Sequence, residues 1–322
     1  MDKICIAGNE LLVKDYHCMQ CGSFFKPLEN ESYLPKEETK LWLYVNVTDR
    51  CPAGCPFCVS SSAGERGGLV DPNLFGRTLE KIRAYVSGVS FTGGEPMLHP
   101  ALLDELVGIT DSLVGSNTGI EMVTNGTNMG AIPEMKHIDR VTTIHISRHH
   151  DSDDINRSLM QWNAPGVDDI RRLMANLRNS GRVVFNCVLQ KGGIETAKDI
   201  KRYLDHAIAL GVRNNSFITM FQANEYCQNH FVSAFSLPFV SDLGCSALNF
   251  GDDSSFDVWN RHRDHSSCCC MSGGYHTKEG KTRFYFRCPG EDSGVAYCRQ
   301  LVYTAENILQ DGFGAGRIVL VE

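Results

Sequence analysis

The chain has no run of basic residues, no long apolar stretch, no internal repeat and no low-complexity segment. Each absence narrows the function. Its 31 Lys and Arg stand against 38 Asp and Glu, a formal net charge of −7. Phosphate binding needs clustered cations, so no nucleic-acid partner is expected. No segment approaches the roughly 20 consecutive apolar residues of a membrane span, so no membrane partner is expected either. The first residues, Met1-Asp2-Lys3-Ile4-Cys5, lack the apolar core of a signal peptide. Fourteen cysteines without an export signal lead to the expectation of a reducing cytoplasm, with metal binding rather than disulfides. Core-forming material is present in ordinary amount. Hydrophobic residues make up 42% and aromatics 9% of 322 residues, enough for one large domain or a domain plus an appendage.

Three of the cysteines fall in Cys51-Pro52-Ala53-Gly54-Cys55-Pro56-Phe57-Cys58, with an aromatic before the last. The apolar run Leu41–Val47 precedes them and predicts a buried strand. A loop leaving a strand end is where α/β folds put their chemistry. Iron–sulfur clusters are normally held by four thiolates, so a tight triplet without a near fourth implies an iron left open for a ligand. A zinc knuckle is the alternative, with Cys18-Met19-Gln20-Cys21 supplying the second half-site.

Further on, Val89-Ser90-Phe91-Thr92 predicts a second strand, ending in Gly93-Gly94-Glu95-Pro96. Paired glycines allow close approach to the backbone, and a carboxylate can receive an ammonium group. The cysteine loop and Gly-Gly-Glu-Pro together closely resemble the radical S-adenosylmethionine (radical SAM) superfamily. The resemblance implies that Cys51, Cys55 and Cys58 hold a [4Fe-4S] cluster whose open iron chelates the amino and carboxylate groups of S-adenosylmethionine. It implies that Gly93, Gly94 and Glu95 meet the same amino group, and that Phe57 lies against the adenine. The implied activity is reductive cleavage to a 5′-deoxyadenosyl radical, which takes a hydrogen atom from substrate. An external electron donor of flavodoxin or ferredoxin type follows from that chemistry.

Along the chain, strands are expected at 41–47, 89–92, 120–125, 141–147, 183–189 and 216–220. Helices are expected from Asp71-Pro72, at 101–113, around 129–137, at 167–179 and at 194–210. Six strands alternating with helices predict a parallel sheet covered by helices. The fold class expected is α/β, a (β/α)6 partial TIM barrel, as in the superfamily it resembles, with a cysteine-rich C-terminal extension. The expected domains are an N-terminal extension with Cys18 and Cys21 at 1–39, the partial barrel at 40–221, and the extension at 222–322. A β-hairpin turning at Glu279-Gly280 is expected in the last.

Catalytic groups in such folds sit at the C-terminal ends of strands. Thr48-Asp49-Arg50-Cys51, Val184–Leu189 and Met220 resemble a narrower branch. It contains the GTP cyclase of molybdenum-cofactor synthesis and peptide-modifying enzymes with extra C-terminal clusters (SPASM/twitch type). Carried over, Thr124, Asn125, Ser147, Asn186 and Met220 become S-adenosylmethionine contacts. Arg148-His149-His150 puts three ionisable side chains at one strand end, which suits an anionic substrate. A small, anionic molecule is therefore the expected substrate, with a peptide as the alternative. Residues 222–322 hold seven of the fourteen cysteines. Cys245, Cys270, Cys288 and Cys298 are expected to form a second metal site, iron–sulfur in preference to zinc. A zinc-stabilised binding module is the alternative of another class.

Overall fold

The computed structural model describes residues 2–13, 41–58, 67–116, 118–220, 224–232, 255–260, 271–277, 280–286, 300–312 and 317–321. Strands β1 (Asp2–Ile6) and β2 (Asn9–Val13) form a separate antiparallel hairpin. Ile4, Ile6 and Leu11 of this hairpin join the main core. The barrel unit begins with β3 (Leu41–Asn46) and continues with α1 (Pro72–Ile82), β4 (Val86–Thr92), α2 (Pro100–Val114), β5 (Gly119–Thr124) and β6 (Thr143–Ser147). Helices α3 (Asp153–Met160) and α4 (Val167–Asn176) follow, then β7 (Val183–Leu189), α5 (Ala197–Ala209), β8 (Asn214–Thr219) and the short α6 (Glu225–Asn229).

β3 to β8 lie side by side in chain order, every neighbouring pair parallel. Parallel strands need a crossover between them, and the helices supply it. The run at 41–47 alternates rather than burying both faces. Leu41, Leu43 and Val45 are buried, while Trp42, Tyr44 and Asn46 are half-buried on the other face. The helix-covered face is marked by Phe75 of α1 against Phe91 of β4, and by Tyr203 of α5 against Phe185 of β7. Residues one step along each strand look to the inner face.

Local chemistry explains the boundary differences. Between β5 and β6 the expected helix is a 3-10 turn, Met129–Glu134. Pro133 has no N–H to give the Met129 carbonyl, so an α-helical ladder cannot run through it. α5 starts at Ala197 rather than 194 because Thr196 and Asp199 form a reciprocal capping box. α1 starts as the sequence predicts, with Asp71 accepting from the N–H groups of Asn73 and Leu74 and a proline at its first position.

The C-terminal part contributes β9 (Ser255–Asn260), β10 (Met271–Thr277), β11 (Gly280–Phe286), β12 (Gln300–Tyr303), β13 (Ile308–Gln310) and β14 (Ile318–Val321). β12 pairs parallel with β3, and β11 pairs parallel with β8. Strands are therefore added at both edges of the barrel sheet, whose order among the described residues runs from β14 to β9. Phe284 of β11 stacks on Phe217 of β8 with centroids 5.3 Å apart, which fixes that junction in the core. The hairpin register corrects the expected turn by one position. Thr277 pairs with Gly280 and Met271 with Phe286, so Gly280 is a strand residue. Cys18, Cys21, Cys245, Cys270, Cys288 and Cys298 lie outside the described residues.

Candidate active site

The cysteine loop is latched on three sides. On the first, the Val47 N–H donates to the Thr92 carbonyl at 2.9 Å, Gly94 to Thr48 at 2.7 Å, and Glu95 to Arg50 at 2.8 Å. On the second, the Thr48 hydroxyl donates to the Gly68 carbonyl and the Val70 N–H to the Val47 carbonyl, each at 3.0 Å. On the third, the Gly54 N–H donates to the Met160 carbonyl at the end of α3, 3.1 Å away. Within the loop the Cys58 N–H donates to the Cys55 carbonyl at 3.1 Å.

The two glycines serve this latch. Gly93 has φ +97°, and a side chain there would put Cβ 2.6 Å from Asn46 Cα. A Cβ on Gly94 would overlap the Arg50 carbonyl. The close backbone approach they permit is that of the cysteine loop to the β4 turn.

Glu95 is buried and joins β4 to β5. Oε1 accepts from the Met97 N–H at 2.9 Å and the Thr124 hydroxyl at 2.6 Å, and Oε2 accepts from the Asn125 N–H at 2.6 Å. Burial pushes its pKa up to about 7 against the pull of those three hydrogen bonds. Asn125 closes the circuit, its amide Nδ2 lying 3.5 Å from Cys51 Sγ. Cys51, Asn125 and Glu95 thus tie the ends of three adjacent strands together.

The thiols fit a cluster by the chemistry of the donor set. Burial raises the Cys51 thiol pKa, helped by the charges of Glu95 and Cys58. Burial followed by the charges of Cys58 and Cys51 pushes Cys55 up to about 12. Crowded on one loop, the three sulfurs ionise together only around a cationic, thiophilic group. Among the described residues no three His, Cys, Asp or Glu side chains are arranged around a single ion.

The family model of the radical SAM superfamily matches residues 45–207, half of the chain. The chain belongs to the radical SAM superfamily. Enzymes of this superfamily use a [4Fe-4S] cluster and S-adenosylmethionine. Over 106 residues it is 33% identical to the PqqA peptide cyclase of Gluconobacter oxydans, covering 32% of this chain and 28% of that protein. The structure of SuiB from Streptococcus suis bound to its precursor peptide SuiA superposes with a TM-score of 0.58 at 14% identity, over 87% of this chain and 62% of SuiB. SuiB without that peptide gives 0.52 at 14% identity, over 85% and 60%. At that identity the likeness is one of fold, the partial barrel. The chain spans less than two thirds of the length of each of these proteins.

Within the radical SAM barrel, the two residues expected near adenine come together. Phe57 and Met220 share a buried apolar cluster with Cys227, lined further by Cys55, Leu159, Val188, Tyr226 and Phe231. Ser147 and Asn186 pair directly on neighbouring strands. Thr124 spends its hydroxyl on Glu95 as donor and on the Gly126 N–H as acceptor.

Arg148, His149 and His150 do not make a cationic pocket, which corrects the basis of the anionic-substrate expectation. Alternation sends Arg148 to the helix side, where it is 1% exposed. Its Nη2 donates to Asp153 Oδ1 at 2.7 Å and the Asp151 carbonyl at 2.8 Å, and lies 3.2 Å from His206 Nε2. His149 is buried with its ring edge-on to Phe57, and its Nδ1 accepts from the Val188 N–H. Burial lowers its pKa to about 4, so it is neutral at pH 7. His150 Nδ1 accepts from the Ser152 N–H, and burial lowers its pKa against the pull of Asp151. No signal in the sequence pointed to Met160 as the third anchor of the cysteine loop, because the contact spans more than a hundred residues and uses only the Met160 backbone carbonyl, met by the Gly54 N–H and, at 3.6 Å, by the Cys55 thiol.

Proposed function

We propose that this radical SAM enzyme acts on a peptide, with Cys51, Cys55 and Cys58 holding the cluster and the strand ends around them receiving S-adenosylmethionine. The observation that carries the site is the three-strand junction of Cys51, Glu95 and Asn125. When bound, the cluster and S-adenosylmethionine supply the reductive cleavage that yields a hydrogen-abstracting 5′-deoxyadenosyl radical.

The remaining roles belong to the chain itself. Glu95 has about four acceptor positions as a carboxylate, and three are filled by Met97, Thr124 and Asn125, which leaves one for the ammonium of S-adenosylmethionine. Phe57 and Met220 offer an apolar slot for adenine. Asn186 and Ser147 stand on the inner face to meet ribose or carboxylate oxygens. An external donor of flavodoxin or ferredoxin type delivers the electron.

Two findings support a peptide over a small anion. The identity to the PqqA peptide cyclase is one. The other is the loss of the cationic trio, whose arginine is paired with Asp153 and whose imidazole pKa values are lowered by burial. The test is isotope transfer. The reduced, reconstituted protein is turned over with candidate peptides deuterated at their side chains, and 5′-deoxyadenosine is analysed by mass. Deuterium in 5′-deoxyadenosine is expected from a peptide. Transfer from small anionic metabolites alone would overturn the peptide reading.

A further inference from the structure

Inside the barrel a carboxylate, an imidazole and an amide form a chain across three strands. His145 of β6 is buried on the inner face, while its neighbours Ile144 and Ile146 enter the core on the helix side. Its Nδ1 lies 3.0 Å from Asn186 Oδ1 on β7, and its Nε2 lies 3.4 Å from Glu121 Oε2 on β5. Asn186 in turn pairs with Ser147 on one side and Ser216 on the other, so the three side chains stand in one row. The Ser216 hydroxyl is buried without a hydrogen-bond partner. A partly buried row whose innermost hydroxyl, that of Ser216, has spare hydrogen-bonding capacity calls for a polar ligand.

We propose that His145, braced by Glu121, is a positioning residue that fixes which way the Asn186 amide points. An unrestrained amide can turn either its oxygen or its NH2 outward. Asn186 Oδ1 facing Nδ1 needs a hydrogen there and the Glu121 carboxylate facing Nε2 needs a second, so the ring that satisfies both partners carries both N–H groups and removes that choice. Glu121 at the other ring nitrogen holds the imidazole against flipping, as outer carboxylates do for histidines elsewhere. Asn186 then presents N–H donors to the row, with the Ser147 and Ser216 hydroxyls at its sides. The ligand group recognised is a hydrogen-bond acceptor, supplied by the ribose or carboxylate oxygens of S-adenosylmethionine. This rests on the cofactor site proposed above.

Equilibrium binding of S-adenosylmethionine to the reconstituted, unreduced protein reads the effect without turnover. His145→Leu is expected to weaken binding about tenfold, the scale of one lost hydrogen bond. In turnover the loss falls on KM for S-adenosylmethionine rather than on kcat. His145→Asn, whose amide N–H takes the place of Nδ1–H, is expected to restore affinity to within about threefold of wild type. His145→Gln, which reaches the Nε2 position instead, is expected to bind as weakly as the leucine variant. Should His145→Leu fail to hold iron, the Asn and Gln variants decide between them. Equal affinity in all variants, or a Gln variant that binds as well as the Asn variant, overturns the proposal while leaving the enzyme's function standing. A wild type that holds its cluster and binds no S-adenosylmethionine overturns both.

Discussion

The Thr124 hydroxyl donates to Glu95 Oε1 at 2.6 Å, across the gap between two strand ends. Together with the Asn125 N–H on Oε2, it makes a buried carboxylate the rivet of β4 and β5. The rivet has a pH signature. The carboxyl titrates near 4.5 when unfolded and near 7 in the fold, because burial disfavours its charge. Stability from this group is therefore fully present below pH 4.5 and lost as pH rises through about 7. Its size is about 3 kcal/mol. Asp151, Asp153 and Asp199 have lowered values, so their losses fall at lower pH, and the lowered values of His149, His150 and His206 act with the opposite sign in this range but alike in both proteins compared. Chemical unfolding of the apo protein from pH 4.5 to 7.5 is expected to show wild type losing more stability than Glu95→Gln. Parallel curves would contradict this.

Gly94→Ala drives a methyl group into the Arg50 carbonyl. Neither strand end can retreat without breaking the Gly94–Thr48 and Glu95–Arg50 hydrogen bonds. A loss of about 3 kcal/mol is expected, with reduced iron content after reconstitution. Gly130→Ala serves as control, since nothing lies within 4 Å of the added Cβ. Calorimetry and iron analysis of the two variants make the comparison, and a Gly94→Ala protein as stable and iron-rich as the control would contradict the latch.

Arg148→Ala is expected to lower stability rather than to weaken substrate binding selectively. The guanidinium is buried and Asp153 is its partner at 2.7 Å, so truncation leaves the Asp153 carboxylate at the start of α3 with the Val167 N–H but without its cation. Asp153 is a quarter exposed, which places the cost near 2 kcal/mol rather than at the top of the range for buried pairs. An unchanged melting temperature with a raised substrate KM would return Arg148 to the substrate pocket.

The proposed second site predicts an iron count. With Cys51, Cys55 and Cys58 all replaced by alanine, a further cluster held by cysteines of the C-terminal part leaves about four irons per chain. Loss of all iron and zinc would leave the one cluster alone.

Much of the barrel was legible because each strand and helix carries its own periodicity. Leu74, Phe75, Leu79, Ile82 and Val86 recur at helical spacing after Asp71; Phe75, Leu79 and Ile82 are buried in α1, whereas Val86 already opens β4. The cysteine loop and Gly-Gly-Glu-Pro were legible as chemistry, but not their mutual latch, since Thr48–Gly94 and Gly54–Met160 join backbone atoms that have no side-chain signature. Arg148-His149-His150 read as three cations because charge type is written in the residues while burial is not. Successive residues of an extended chain face opposite ways, so Arg148 went to an aspartate behind the sheet and His149 to Phe57 in front of it. His145 carried no motif; its meaning comes from two neighbouring strands that bring Glu121 and Asn186 alongside.

The most direct test of the three-cysteine site is cofactor cleavage. Anaerobically reconstituted protein is reduced with a strong one-electron donor in the presence of S-adenosylmethionine, and 5′-deoxyadenosine is quantified by chromatography. Wild type is expected to release 5′-deoxyadenosine and methionine, and Cys55→Ala to release neither. A wild type that holds about four irons at these cysteines yet never cleaves S-adenosylmethionine, with or without peptide, would contradict it.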